Sequence, residues 1–111
     1  MPEKDAMTKP RKLSPRRAAE ETLALLRSQA NAKRAASYQR YFKEPVDYFG
    51  LDTQGARQIK LGLLDRVEAS WTIRDAVRFC DAMIRDPHME SRGIGYQTML
   101  KLIVREHLHK Y

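Results

Sequence analysis

The sequence predicts an all-α fold of about five helices paired as antiparallel hairpins, and three observations carry that prediction. Apolar residues recur at intervals of three and four through most of the chain, and no stretch alternates with a period of two. Short polar residues that start helices stand at the heads of these runs, at Ser14, Asp52-Thr53 and Thr72. Proline-bearing turns separate the runs, at Pro45 and at Asp86-Pro87.

The first helix is expected over residues 15–29. Ser14 is a preferred N-cap, and Pro15 suits the first helical position because its missing N–H has no helical partner there. Ala19, Leu23, Leu26 and Ala30 make its apolar stripe, with Glu20 and Glu21 placed toward the positive end of the helix dipole. Asn31 marks a break. A second helix is expected over residues 33–42, ending ahead of Pro45, whose ring disfavours helical geometry at Glu44. The pair is expected to form a helical hairpin.

Residues 40–64, RYFKEPVDYFGLDTQGARQIKLGLL, organise the rest. Tyr38, Tyr41 and Phe42 fall at helical spacing, and Tyr48, Phe49 and Leu51 read as loop residues turned inward. Behind Asp52-Thr53, a third helix carries Ala56, Ile59, Leu63 and Val67 as one stripe, widened by Leu64. Arg57 and Lys60 are three apart and share another face, where they meet either phosphate or water.

In the fourth helix, Thr72 and Asp75 make a variant capping box. Ile73, Ala76, Val77, Cys80, Met83 and Ile84 fall on one side, and Arg74, Arg78 and Arg85 on the other. The fifth helix is expected from about Met89, with Tyr96, Leu100, Ile103, Val104 and Leu108 as its apolar contribution. Helices four and five have the form of one HEAT-like unit, which buries its apolar face only against neighbours. Residues 105–111 show no C-cap glycine and no polar outer face. Either further residues or a second copy is expected to cover that open face.

Arg40-Tyr41-Phe42-Lys43, then Phe49-Gly50-Leu51-Asp52-Thr53, then the basic-headed helix from Arg57 to Leu64 together resemble the N-terminal part of the DNA alkylation repair family. These are HEAT-like-repeat glycosylases that release alkylated bases. The likeness runs over residues 20–110, more loosely through Phe79-Cys80-Asp81. It implies an α-solenoid whose concave side holds double-stranded DNA with N3- or N7-alkylated purines. Tyr41, Lys43, Thr53, Arg57 and Lys60 are the candidate nucleic-acid-binding residues: the resemblance implies Tyr41 as a ring against a nucleotide, Arg57 and Lys60 are placed to meet phosphate, and Thr53 with the amides behind it offers a helix-N-terminus anion site. The family's catalytic Asp, flanked by aromatic residues on later helices, is expected beyond Tyr111. No catalytic residue, metal or cofactor is therefore expected within this chain. Asp52 departs from the pattern, because an acid there repels phosphate.

Composition bounds the remainder. At 111 residues the chain makes one domain, read as a basic flexible leader over residues 1–13 and a helical-repeat portion over 14–111. Six basic residues among the first 17 (Lys4, Lys9, Arg11, Lys12, Arg16 and Arg17) face only Glu3 and Asp5, leaving +4 of the net +7 in that segment. Such a segment is expected to be solvated or to gather on a nucleic-acid backbone. A single cysteine, Cys80, excludes an intrachain disulfide, and neither a membrane span nor a secretory signal is apparent, so a cytoplasmic location is expected. Trp71 reads as a packing anchor, and Met83, Met89 and Met99 as core filler. His88, His107 and His109 lack ligand spacing. Glu90, like Glu20 and Glu21, reads as a dipole-stabilising acid, and Gly93 and Gly95 as sites of close helix packing. The alternative function class is a non-catalytic helical-repeat scaffold that binds nucleic acid or protein.

Overall fold

The computed structural model describes residues 12–109. Five helices make up its regular structure, with no strand among the described residues: α1 Pro15–Ser28, α2 Ala32–Gln39, α3 Thr53–Val67, α4 Ile73–Ile84 and α5 Met89–His109. The starts are set by local chemistry. The Ser14 hydroxyl accepts from the Arg17 amide, Asn31 from Arg34 and Asp52 from Gly55, while Thr72 and Asp75 form a reciprocal capping box.

Four helices form the body, and α2 stands apart from it. The chain just ahead of α1 lies at the head of α4, where the Trp71 indole N–H donates to the Leu13 carbonyl at 2.7 Å and Lys12 pairs with Asp75 at 2.6 Å. The tail of α3 meets α1 through Arg66 and Glu21 at 2.8 Å, and Lys60 of α3 meets Gln97 of α5 at 2.8 Å. Near the end of α5, Arg105 donates to the Trp71 carbonyl at 3.0 Å. These contacts make α3 antiparallel to α1, and α5 antiparallel to α4. They also lay α1 beside α4 and α3 beside α5 in parallel. The hairpin partner of α1 is thus α3. The expected α1–α2 hairpin is not formed, since α2 packs on no other helix and buries no residue.

The core joins Ala18, Ala19, Leu26, Ile59, Leu63, Val67, Trp71, Ala76, Phe79, Met83, Ile94 and Leu102, with Phe49 and Leu51 entering from the turn. Each fully buried Leu, Phe or Met contributes roughly 1.5–3 kcal/mol by leaving water. Trp71 anchors one end, its ring 5.4 Å from that of Phe79.

Several expected faces shift. Ala30 is exposed, because α1 ends at Ser28, and the buried line runs through Ala18, Ala19, Thr22 and Leu26. Glu20 and Glu21 lie beyond the first turn of α1 and act through Arg16, Arg17 and Arg66 instead of the dipole. Helix α2 stops at Gln39, short of Tyr41 and Phe42. The Gln39 side chain donates to the Glu44 carbonyl and accepts from the Val46 amide, closing the following loop. Without an apolar face to pack, this short helix has nothing to extend it.

The largest departure is in α5. Its buried line is Ser91, Ile94, Gly95, Thr98 and Leu102, whereas Tyr96, Leu100, Val104 and Leu108 are all about half exposed or more. Small residues carry the contact because α4 crosses α5 closely: a Cβ on Gly95 would stand 2.9 Å from Met83 Cβ. Val77 and Met89 are likewise exposed rather than core. No described helix is long and apolar enough to cross a membrane. Of the leader expected over residues 1–13, only Lys12 and Leu13 fall within the described residues, and Leu13 packs on the core.

Candidate nucleic-acid interface

The parallel pair α3 and α5 forms two walls of a cleft of about 680 Å³. The third wall comes from α2 and the turn behind it. That turn is held from both sides. Gly50 adopts φ +89°, a left-handed conformation natural to glycine, and a Cβ there would collide with the Asn31 carbonyl. From α2, the Asn31 amide and Phe49 carbonyl bond at 2.8 Å, Arg34 donates to the Gly50 carbonyl at 3.1 Å, and the Tyr38 hydroxyl donates to the Leu51 carbonyl at 2.9 Å. On the α5 side, the Met89 amide donates to the Asp47 carbonyl, and the His88 ring stacks on Phe49 with centroids 3.7 Å apart. The Glu90 carboxylate accepts from three consecutive amides, Phe49 at 2.9 Å, Gly50 at 3.0 Å and Leu51 at 3.3 Å.

Three of the five residues expected to bind nucleic acid line this cleft: Thr53, Arg57 and Lys60, one behind another along α3. The other two, Tyr41 and Lys43, do not. They stand on the loop after α2, exposed, with Tyr41 at 85%. Leu51, Ala56, Ile94 and Met89 supply apolar lining, and Tyr38 and Tyr48 meet edge-to-face at the arm side, with centroids 5.2 Å apart.

The charges at the cleft divide into engaged acids and available bases. Asp52 is committed to the Gly55 amide at the head of α3, and Glu90 to the three turn amides. The Asp52 carboxylate thereby takes the helix-terminal slot in which Thr53 and the amides behind it were expected to receive an anion. The Lys60 ammonium donates to the neutral side-chain oxygen of Gln97 and forms no ion pair among the described residues. No described residue pairs with the Arg57 guanidinium. Beneath the cleft, Asp86 braces the head of α5. Burial raises its pKa, but hydrogen bonds from the His88 amide, the His88 ring and the Ser91 hydroxyl outweigh burial and hold it below its ordinary value.

Among the described residues there is no cluster of three or more His, Cys, Asp or Glu able to hold a metal. Cys80 is buried, and burial, with Asp81 nearby, pushes its thiol pKa up, away from nucleophilic chemistry.

Tyr38, Tyr48, Glu90, Gly93 and Gln97 also line the cleft and escaped the sequence reading as site residues. Tyr48 sits in the aromatic-rich stretch of residues 40–64 and Tyr38 just ahead of it, so local composition is a usable signal for both. Gln97 and Glu90 carry none, because their partners lie 37 to 41 residues away.

The described residues thus form an all-helical body whose cleft carries Arg57 and Lys60 on one wall and Tyr38 and Tyr48 at its edge. Its family follows from comparison: the DNA alkylation repair enzyme family matches residues 22–109, and the chain belongs to that family. No curated protein and no solved structure matches it.

Proposed function

We propose that this chain is the DNA-holding N-terminal portion of a glycosylase that excises N3- or N7-alkylated purines, its helices forming the first HEAT-like repeats of an α-solenoid. The observation that carries the reading is the line of Thr53, Arg57 and Lys60 along one wall of the cleft, with no described residue paired to the Arg57 guanidinium. Two bases without acidic partners beside an apolar floor suit a phosphate backbone, which contributes affinity without sequence preference. Family membership over residues 22–109 supports DNA as the substrate. The side-by-side placement of α1 with α4, and of α3 with α5, supports repeats that stack in one direction. Tyr41 and Lys43 extend the surface onto the arm, where an exposed ring stacks on a nucleotide.

The cleft carboxylates do not perform the chemistry, since Asp52 and Glu90 are both spent on backbone amides. Stabilisation of the cationic sugar formed as the glycosidic bond breaks falls to an Asp and aromatic faces outside this cleft, without metal or cofactor. Release of 7-methylguanine from methylated duplex DNA by the full-length protein tests this reading. A folded protein that binds methylated duplex and releases no base would leave the second reading, a non-catalytic scaffold. The exposed apolar line of Tyr96, Leu100, Val104 and Leu108 suits that reading where a protein partner covers it.

A further inference from the structure

We infer that Glu90 is a positioning residue, the lock that docks a separate arm, residues 31–51, onto the helical body and so sets the third wall of the cleft. The role assigned to the cleft rests on the function proposed above; the docking of the arm does not.

Besides Glu90, the arm meets the body only near its turn, where Phe49 and Leu51 enter the core, Phe49 stacks on His88 and the Asp47 carbonyl accepts from the Met89 amide, among the described residues. Helix α2 packs on no other helix and buries no side chain, so burial does not fix its place. Its attachment runs through the turn: Asn31, Arg34 and Tyr38 grip the carbonyls of Phe49, Gly50 and Leu51 from one side. Their amides point to the other side, and all three reach the single carboxylate of Glu90 on α5. Three successive amides make a concave anion site, and a charged acceptor bonds them about twice as strongly as a neutral one. Glu90 already occupies all three amides, and Phe49 and Leu51 are buried, so the acid belongs to the fold. Backbone on one face of the turn is thus tied to α2, and on the other to α5. Glu90 joins the two.

Removing the carboxylate strands three buried N–H groups at once, and the turn has to open to reach water. The consequence is local. Asn31, Arg34 and Tyr38 hold the turn to α2, so arm and turn leave together, while the contacts among α1, α3, α4 and α5 remain.

Chymotrypsin digestion of the 111-residue protein, followed by mass, reads this directly through the normally buried Phe49. In Glu90→Ala, cleavage after Tyr48 and Phe49 is expected to accelerate at least tenfold, with α3 to α5 surviving as one resistant fragment. An unchanged rate, or cuts spread through α4 and α5, overturns the inference. Glu90→Gln keeps the side chain's size and puts an amide N–H₂ against the same donors, so it serves if the alanine variant does not fold; the same two outcomes decide it. A second readout separates positioning from mere structure. In duplex binding, Glu90→Ala and Tyr41→Ala are each expected to weaken affinity several-fold, and the double variant to be no weaker than Glu90→Ala alone. Additive losses overturn the claim that Glu90 acts through the arm. If the wild-type protein binds no duplex, the proposed function fails and the digestion still decides the docking.

Discussion

Gly95 of α5 lies against Met83 of α4, so close that a Cβ at Gly95 would stand 2.9 Å from Met83 Cβ and 3.4 Å from the Cα of Cys80. Two residues earlier on the same helix, a Cβ on Gly93 would meet nothing within 4 Å. The two glycines therefore respond oppositely to alanine. Gly93→Ala is expected to raise stability by about 1 kcal/mol through helix propensity. Gly95→Ala is expected to lower it by about 1–3 kcal/mol, because backbone and Cβ atoms have to move apart. Urea unfolding of the two variants checks the pair.

Thr98 is fully buried on α5, and its hydroxyl has no hydrogen-bond partner among the described residues. Valine keeps the branched shape and removes the orphaned group, so Thr98→Val is expected to stabilise the fold by about 1 kcal/mol or more. Thermal unfolding by circular dichroism measures it. A lower melting temperature would show that the hydroxyl contributes a bond worth keeping.

Acid is expected to loosen the α1–α4 and α4–α5 junctions through Asp75 and Asp86. Burial raises the pKa of Asp75, but the Lys12 ammonium and the Thr72 amide and hydroxyl outweigh burial, so it lies below its ordinary 3.8. Asp86 is lowered likewise by His88 and Ser91. A carboxylate whose folded pKa is depressed contributes stability that is fully present above its unfolded value and lost as pH falls through the folded one. Melting temperature is thus expected to fall below about pH 4 on account of these groups, and not between pH 7 and 5. The Asp75→Asn, Asp86→Asn double variant starts lower at pH 7 and falls less steeply in acid.

Much of the fold was legible because its starts are local. Ser14, Asp52 and Thr72 bond amides three residues on, which a sequence displays directly. The stripe of α3 was legible for the same reason. What escaped depends on partners far along the chain. On α5, Tyr96, Leu100, Val104 and Leu108 face outward, while Ser91, Gly95 and Thr98 face the core beside Ile94 and Leu102, an arrangement that no single-helix periodicity reveals. At the site, Arg57 and Lys60 could be placed on one face from their spacing. Gln97, Glu90 and the docking of α2 follow only from the way α5 lies along α3.

The central claim is that the α3 wall of the cleft meets a DNA backbone, and the salt dependence of duplex affinity in Arg57→Glu, Lys60→Glu tests it most directly. Two lost phosphate contacts are expected to weaken binding at least tenfold at low salt and to lower the slope of log affinity against log salt by about 2. Affinity and slope equal to wild type, in a variant that melts normally, would contradict it.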